Sequence, residues 1–120
     1  MDTGVNGGPI DPKAVEAAQE NMLSKDAEDR ARLILESLCD PTRLKIVRAL
    51  RDTTLAASDI ARVIHRSRAA TSQHLKVLRD VQAVVPTRQG NIVRYALASS
   101  VSAEILDSIG RSFDRLEASA

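Results

Sequence analysis

The chain has 120 residues, with 17 Lys and Arg against 16 Asp and Glu, a formal charge of +1, one Cys, one Tyr, one Phe and no Trp. That length suits a single domain with a modest core, which Leu, Ile, Val and Ala must fill in the near absence of aromatics, as packed helices do. The same composition excludes an internal disulfide, a stacking platform for single-stranded nucleic acid, and a membrane span, for which no apolar run is long enough.

A lone cysteine fits a reducing compartment. The N-terminus has no basic region followed by an apolar stretch, so a cytoplasmic setting is expected. Charge is unevenly spread. Residues 1–40 carry nine acids and four bases, whereas residues 62–94 carry seven bases (Arg62, Arg66, Arg68, Lys76, Arg79, Arg88 and Arg94) against Asp80 alone. A localised balance of +6 in a nearly neutral chain points to a phosphate-bearing partner.

Met1 to Ile10, with Gly4, Gly7, Gly8 and Pro9, is expected to be a flexible tail, and residues 11–118 a single domain. Asp11-Pro12 pairs an N-cap with a first-turn proline and predicts a helix over Pro12–Leu23. Ser24 caps a second, Lys25–Cys39, with Ala27, Ala31, Ile34, Leu35 and Leu38 on its apolar face. Asp40-Pro41 repeats the device for a third helix to about Arg51, whose buried face is Leu44, Ile46, Val47 and Leu50. Thr53 to Ala57 suits a short strand. Ser58 then caps a short helix to Ile64, and His65 and Arg66 form a turn.

Ser67 to Asp80 is the most informative stretch. Ser67 suits an N-cap, and Ala70, Leu75 and Leu78 recur at helical spacing on one face. The other face offers Arg68, Thr71, Ser72, Gln73, Lys76 and Arg79, donors able to reach base edges and phosphates in a major groove. Alone, this stretch reads better as a solvated basic helix; the flanking elements raise the DNA-contacting reading above it. Val84 to Leu97 reads as a hairpin with Gln89-Gly90-Asn91 at its tip. Ser99 or Ser100 caps a last helix to about Leu116, where Ile105, Ile109, Phe113 and Leu116 make an apolar stripe. With Leu106 beside it, the stripe is wider than one small domain needs. The predicted fold is mainly α with a small β-hairpin wing: a winged helix-turn-helix of about six helices.

Three stretches carry a resemblance to a known family. They are Leu38-Cys39-Asp40-Pro41-Thr42-Arg43-Leu44-Lys45-Ile46, then Ser67-x4-Ser72-Gln73-His74-Leu75-Lys76-x-Leu78-Arg79, then Arg88-Gln89-Gly90-Asn91-x-Val93-x-Tyr95. In this order and at these separations they resemble the ArsR/SmtB winged-helix repressors of bacteria and archaea, over roughly Ala31 to Phe113. The resemblance implies a homodimer built on the first and last helices, here Val15, Ala18 and Met22 with Ile105, Ile109, Phe113 and Leu116. It implies two recognition helices in successive major grooves of double-stranded DNA, reading a roughly palindromic operator. Ser67, Arg68, Thr71, Ser72, Gln73, His74 and Lys76 would contact the operator from the helix, and Arg88, Gln89, Asn91 and Arg94 from the wing. Two mechanisms stay open: repression relieved by an effector, for which a small molecule is one candidate, or a regulator with no ligand at all.

Many members of that family sense metals, but the familiar ligand positions are not filled here. One site uses cysteines in the first helix of the helix-turn-helix, where Leu55-Ala56-Ala57-Ser58-Asp59-Ile60 has no thiol. Another uses acidic and imidazole ligands along the last helix, where the matching positions are approximately Ser99, Val101, Ser112 and Arg115. Neutral serine is a poor zinc ligand. No metal and no cofactor is therefore expected. A Cys placed like Cys39 is most often a small buried residue; a redox role would need Cys39 paired across a dimer, or a thiolate favoured by Arg43. His65 is either a phosphate donor or a plain surface residue, and Asp59 an early-helix acid aided by the dipole.

Two other classes compete. A winged-helix protein-interaction module without specific DNA binding is disfavoured by the +6 segment and the intact polar face of residues 67–76. An enzyme is disfavoured because no phosphate loop, nucleophile elbow or ligating cluster occurs.

Overall fold

A computed structural model describes residues 7–118, so Met1–Asn6 of the tail expected over Met1–Ile10 lie outside the described residues. Gly7 to Ile10 are exposed and belong to no helix or strand. The chain divides into two compact units, residues 1–31 and 32–120.

In the first unit, Asp11 accepts from the Ala14 amide at 3.1 Å and, with Pro12 behind it, starts α1 (Pro12–Gln19). This helix stops short of the expected Leu23. The amides of Asn21 and Met22 turn back to the carbonyls of Ala18 and Gln19, three residues earlier, which tightens the chain out of the α-helix. Met22 therefore lies beyond α1, and no α1 residue is buried. Ser24 accepts from the Ala27 amide at 3.2 Å and caps α2 (Lys25–Ser37), whose residues from Arg32 onward belong to the second unit.

In the second unit, Asp40 accepts from the Thr42 amide at 2.8 Å and opens α3 (Pro41–Ala49). The order continues with β1 (Leu55–Ala56), α4 (Ala57–Ile64), α5 (Arg68–Asp80), β2 (Val84–Gln89), β3 (Ile92–Leu97), α6 (Val101–Ser112) and α7 (Asp114–Ala118). The strands form one antiparallel sheet in the order β1-β3-β2, with Leu55 opposite Tyr95 on one side and Pro86 opposite Tyr95 on the other. Gln89 pairs with Ile92, so Gly90-Asn91 is a two-residue turn. Gly90 takes φ +64°, the left-handed value that glycine adopts at the first central position of a type II′ turn.

The core draws Ile34 from α2, Ile46 and Val47 from α3, Ile60 and Ile64 from α4, Leu75 and Leu78 from α5, and Leu106 from α6. Each such side chain contributes about 1.5–3 kcal/mol on burial. Tyr95 and Leu97 pack on its edge, and the wing is thereby seated on the helices. The winged helix-turn-helix expected from the sequence is the fold found. Among the described residues no helix is long and apolar enough to cross a membrane.

Three local expectations need correction. Ser58 does not cap α4: the helix opens two residues earlier than such a cap would place it, with Ala56 at the N-cap and no side-chain bond to the first turn. The last helix does not run unbroken to Leu116. Arg48 donates to the Gly110 carbonyl at 2.7 Å and also grips Asp114 at 2.7 Å, and the helix breaks at Phe113 between them. Cys39 is exposed rather than buried.

Both ends of the helix-turn-helix close without glycine. After α4, His65 sits at φ 56°, with the Arg66 amide bonded to the Ala61 carbonyl and the His65 amide to Arg62. After α5, Gln82 sits at φ 62°, with the Ala83 amide on Leu78 and the Gln82 amide on Arg79. Each is a Schellman closure, with an ordinary L-residue in the left-handed position.

Candidate nucleic-acid interface

Ser67 accepts from the Ala70 amide at 3.0 Å and fixes the start of α5. Leu75 and Leu78 anchor the helix to the core, at 1% and 0% exposure. Ser67, Arg68, Ser72, Gln73 and Lys76 consequently face solvent, as do Arg88, Gln89 and Asn91 of the wing. Cross-strand partners share a face of a sheet, so Arg88, opposite Val93, lies on the same face as Tyr95.

Three residues expected at the interface are placed elsewhere. Thr71 is fully buried and its hydroxyl donates to the Ser67 carbonyl at 2.8 Å. It stands four residues before Leu75 and seven before Leu78, so helical geometry puts it on their face whatever its polarity. His74 is half-buried between α3 and α5: Arg43 Nε donates to its Nδ1 at 3.3 Å, and its Nε2 lies 3.6 Å from Asp40 Oδ2. Arg94 is half-buried and stands next to Tyr95 in the strand, hence on the opposite face of the sheet.

Asp40 joins these elements. The backbone hydrogen bond from Thr42 holds its carboxyl below the usual range, helped by the Thr42 hydroxyl and by the nearby charge of Arg43, with desolvation opposing. Arg43 also donates to the Ser37 carbonyl at 3.2 Å, and Arg66 to the Thr42 hydroxyl at 3.4 Å. The turn of the helix-turn-helix and the recognition helix are thus both tied to the start of α3. Arg43 is spent on these contacts and does not bond Cys39, whose Sγ lies 4.0 Å from the Leu35 carbonyl.

Between α5 and β3 lies a cleft of about 390 Å³, bordered by Ser58, Arg68, Ser72, Asn91 and Tyr95. A second, of about 400 Å³, continues along the same helix edge past Lys76 and Arg79 and shares Ser72 and Tyr95 with the first. Ser58 and Tyr95 were not among the residues expected here. Strand alternation would have placed Tyr95 with Val93 on the helix-facing side.

A second polar cluster joins the end of α3 and the turn after it to α6 and α7. Arg51 reaches Asp107 at 3.3 Å and Asp114 at 3.6 Å, while Arg111 reaches Asp107 at 2.8 Å. The Arg111 hydrogen bond holds the Asp107 carboxyl below the usual range, and Arg48 does the same for Asp114. Among the described residues no three His, Cys, Asp or Glu side chains gather closely enough to hold a metal ion.

A capped helix with a solvated polar face, set behind a short helix and beside a basic hairpin, defines a winged helix-turn-helix DNA-binding protein. The profile described as "Bacterial regulatory protein, arsR family" matches residues 40–82. The HTH-type transcriptional regulator NmtR of Mycobacterium tuberculosis is 34% identical over 85 residues, 71% of this chain and 71% of that protein. The transcriptional repressor SdpR of Bacillus subtilis is 31% identical over 68 residues, 57% of this chain and 76% of that protein. The homodimeric winged helix-turn-helix DNA-binding domain Mb0332 of Mycobacterium bovis superposes with a TM-score of 0.67 at 20% identity, covering 83% of this chain and 94% of that one. This chain belongs to the ArsR family of bacterial regulatory proteins, which are transcriptional regulators and not enzymes.

Proposed function

We propose that residues 11–118 form the DNA-binding and dimerisation region of a homodimeric repressor, which reads a roughly palindromic operator and is released from it by an effector. The observation that carries this reading is the solvated face that holds Ser67, Arg68, Ser72, Gln73 and Lys76 on a helix anchored by Leu75 and Leu78. Such a helix presents side chains to base edges without giving up its own packing. Arg88, Gln89 and Asn91 at the wing tip supply contacts to the flanking backbone or minor groove.

Dimerisation is supported by apolar surface that the single chain leaves uncovered. Phe113 is 44% and Leu116 67% exposed, and Ile105 adds 38%, while Ile109 between them is only partly covered. In the first unit Val15 is 39% exposed and Ala18 is exposed as well. A second copy would cover these residues, and the Mycobacterium bovis relative in fold is itself homodimeric. The operator half-sites would then lie about one helical turn apart. An effector that binds the DNA-incompetent geometry better would shift the dimer off the operator. The vacant ligand positions of the familiar family sites favour an effector other than a metal held there.

Selection of bound duplexes from a random pool tests the reading. It predicts enrichment of a two-fold symmetric motif and binding that weakens steeply with salt. An unenriched pool and flat salt dependence would favour a protein-interaction module instead.

A further inference from the structure

The next inference rests on the DNA-binding reading and goes further, to the roles of individual residues. When α5 lies in a major groove and the wing reaches the adjacent minor groove, the sugar-phosphate ridge between those grooves must pass between helix and wing. The space available for it is the cleft bordered by Ser58, Arg68, Ser72, Asn91 and Tyr95. All five side chains carry hydrogen-bond donors, and among the described residues lining the cleft none is acidic. The ridge's path continues along the helix edge past Lys76 and Arg79, where Lys76 is held by Asp80 only through an exposed pair at 3.4 Å. Such a pair is worth little and yields readily to a phosphate. Arg68, Ser72, Lys76 and Arg79 follow one another at steps of four, four and three, a single row on the wing side of α5. Gln73 lies off that row and is exposed, whereas Thr71 and His74 are turned inward.

We infer a division of labour on α5. The wing-side row, with Ser58 and Tyr95 facing it, seats the phosphate strand, and Gln73 on the outward side reads bases. Arg68 is then a backbone anchor rather than a base reader. Tyr95, whose ring packs on the core edge, offers its hydroxyl to the strand from a fixed position.

The test measures fluorescence anisotropy on two labelled 30-bp duplexes, one of random sequence and one selected by the wild-type chain from a random pool. Arg68→Ala is expected to weaken both by the same factor, about tenfold, and to lower the slope of log K on log salt by about 0.9. Ser58→Ala and Tyr95→Phe are each expected to weaken both about threefold without changing that slope. Tyr95→Phe keeps the ring and so keeps the packing, which a thermal melt verifies. Gln73→Ala should weaken the selected duplex about tenfold or more and the random one by a much smaller factor, so that the ratio of the two affinities falls. Loss on the selected duplex alone with Arg68→Ala, or wild-type binding by both Ser58→Ala and Tyr95→Phe, overturns the division of labour. A wild-type chain that binds neither duplex in a salt-dependent way overturns the DNA-binding reading itself.

Discussion

Arg43 Nε donates to His74 Nδ1 at 3.3 Å, joining the first turn of α3 to the middle of the recognition helix. The imidazole braces the helix from behind instead of facing a groove. His74→Ala leaves a half-buried guanidinium N–H without its acceptor and is expected to cost about 1 kcal/mol of stability. The affinity of the folded variant for random duplex should stay unchanged. Chemical denaturation measures the first and anisotropy the second; a large loss of affinity at unchanged stability would return His74 to the interface.

Gln82 occupies the left-handed position that ends α5, at φ 62°. An L-residue there costs about 1–2 kcal/mol, against an entropic penalty for glycine of about 0.5–1 kcal/mol. Gln82→Gly is therefore expected to raise stability by about 0.5 kcal/mol. Gln82→Val, branched at Cβ, should lower it by more than about 1 kcal/mol. Denaturation midpoints should rank glycine first, the native chain second and valine last.

Gly110 is buried within α6, and a Cβ built there would stand 3.5 Å from Arg51 Nη2 and Leu44 Cδ1. That is ordinary van der Waals contact, so close helix approach does not demand glycine here. Gly110→Ala is expected to gain about 0.5–1 kcal/mol through helix propensity, read as a higher melting temperature.

Asp40, Asp107 and Asp114 all have carboxyls held below the usual range in the folded chain, by Thr42, Arg111 and Arg48 respectively. A depressed folded value means that the unfolded chain takes up protons first as pH falls. Their stabilisation is thus fully present above the ordinary carboxylate range and is lost as pH drops below about 4 toward the folded values. Denaturation between pH 6 and 3 should show stability level at the upper end and falling at the lower. Asp107→Asn should flatten that fall.

Much of this was legible in the sequence where a residue's chemistry and its helical position agree. Asp11, Ser24, Asp40 and Ser67 each cap the helix predicted for them, Ser100 is the cap out of the Ser99-Ser100 pair, and α5 runs over Arg68–Asp80 as read. Thr71 was misplaced because its hydroxyl suggested DNA, although its spacing to Leu75 and Leu78 already put it in the core. The spare stripe from Ile105 to Leu116 was visible as a pattern. The break at Phe113 was not, since it depends on Arg48, sixty-two residues before Gly110 in sequence. His65 and Gln82 gave no glycine signal for their left-handed turns. The cleft at Tyr95 requires knowing that the wing folds back beside α5, which only tertiary packing of Tyr95 and Leu97 supplies.

The central claim is that paired copies present their recognition helices to one duplex, and sedimentation velocity of the chain with a selected duplex tests it most directly. The account predicts two chains per duplex, and for Ile109→Asp a lone subunit that no longer forms the complex. A single wild-type chain per duplex, or an Ile109→Asp variant that sediments and binds as the native chain does, would contradict it.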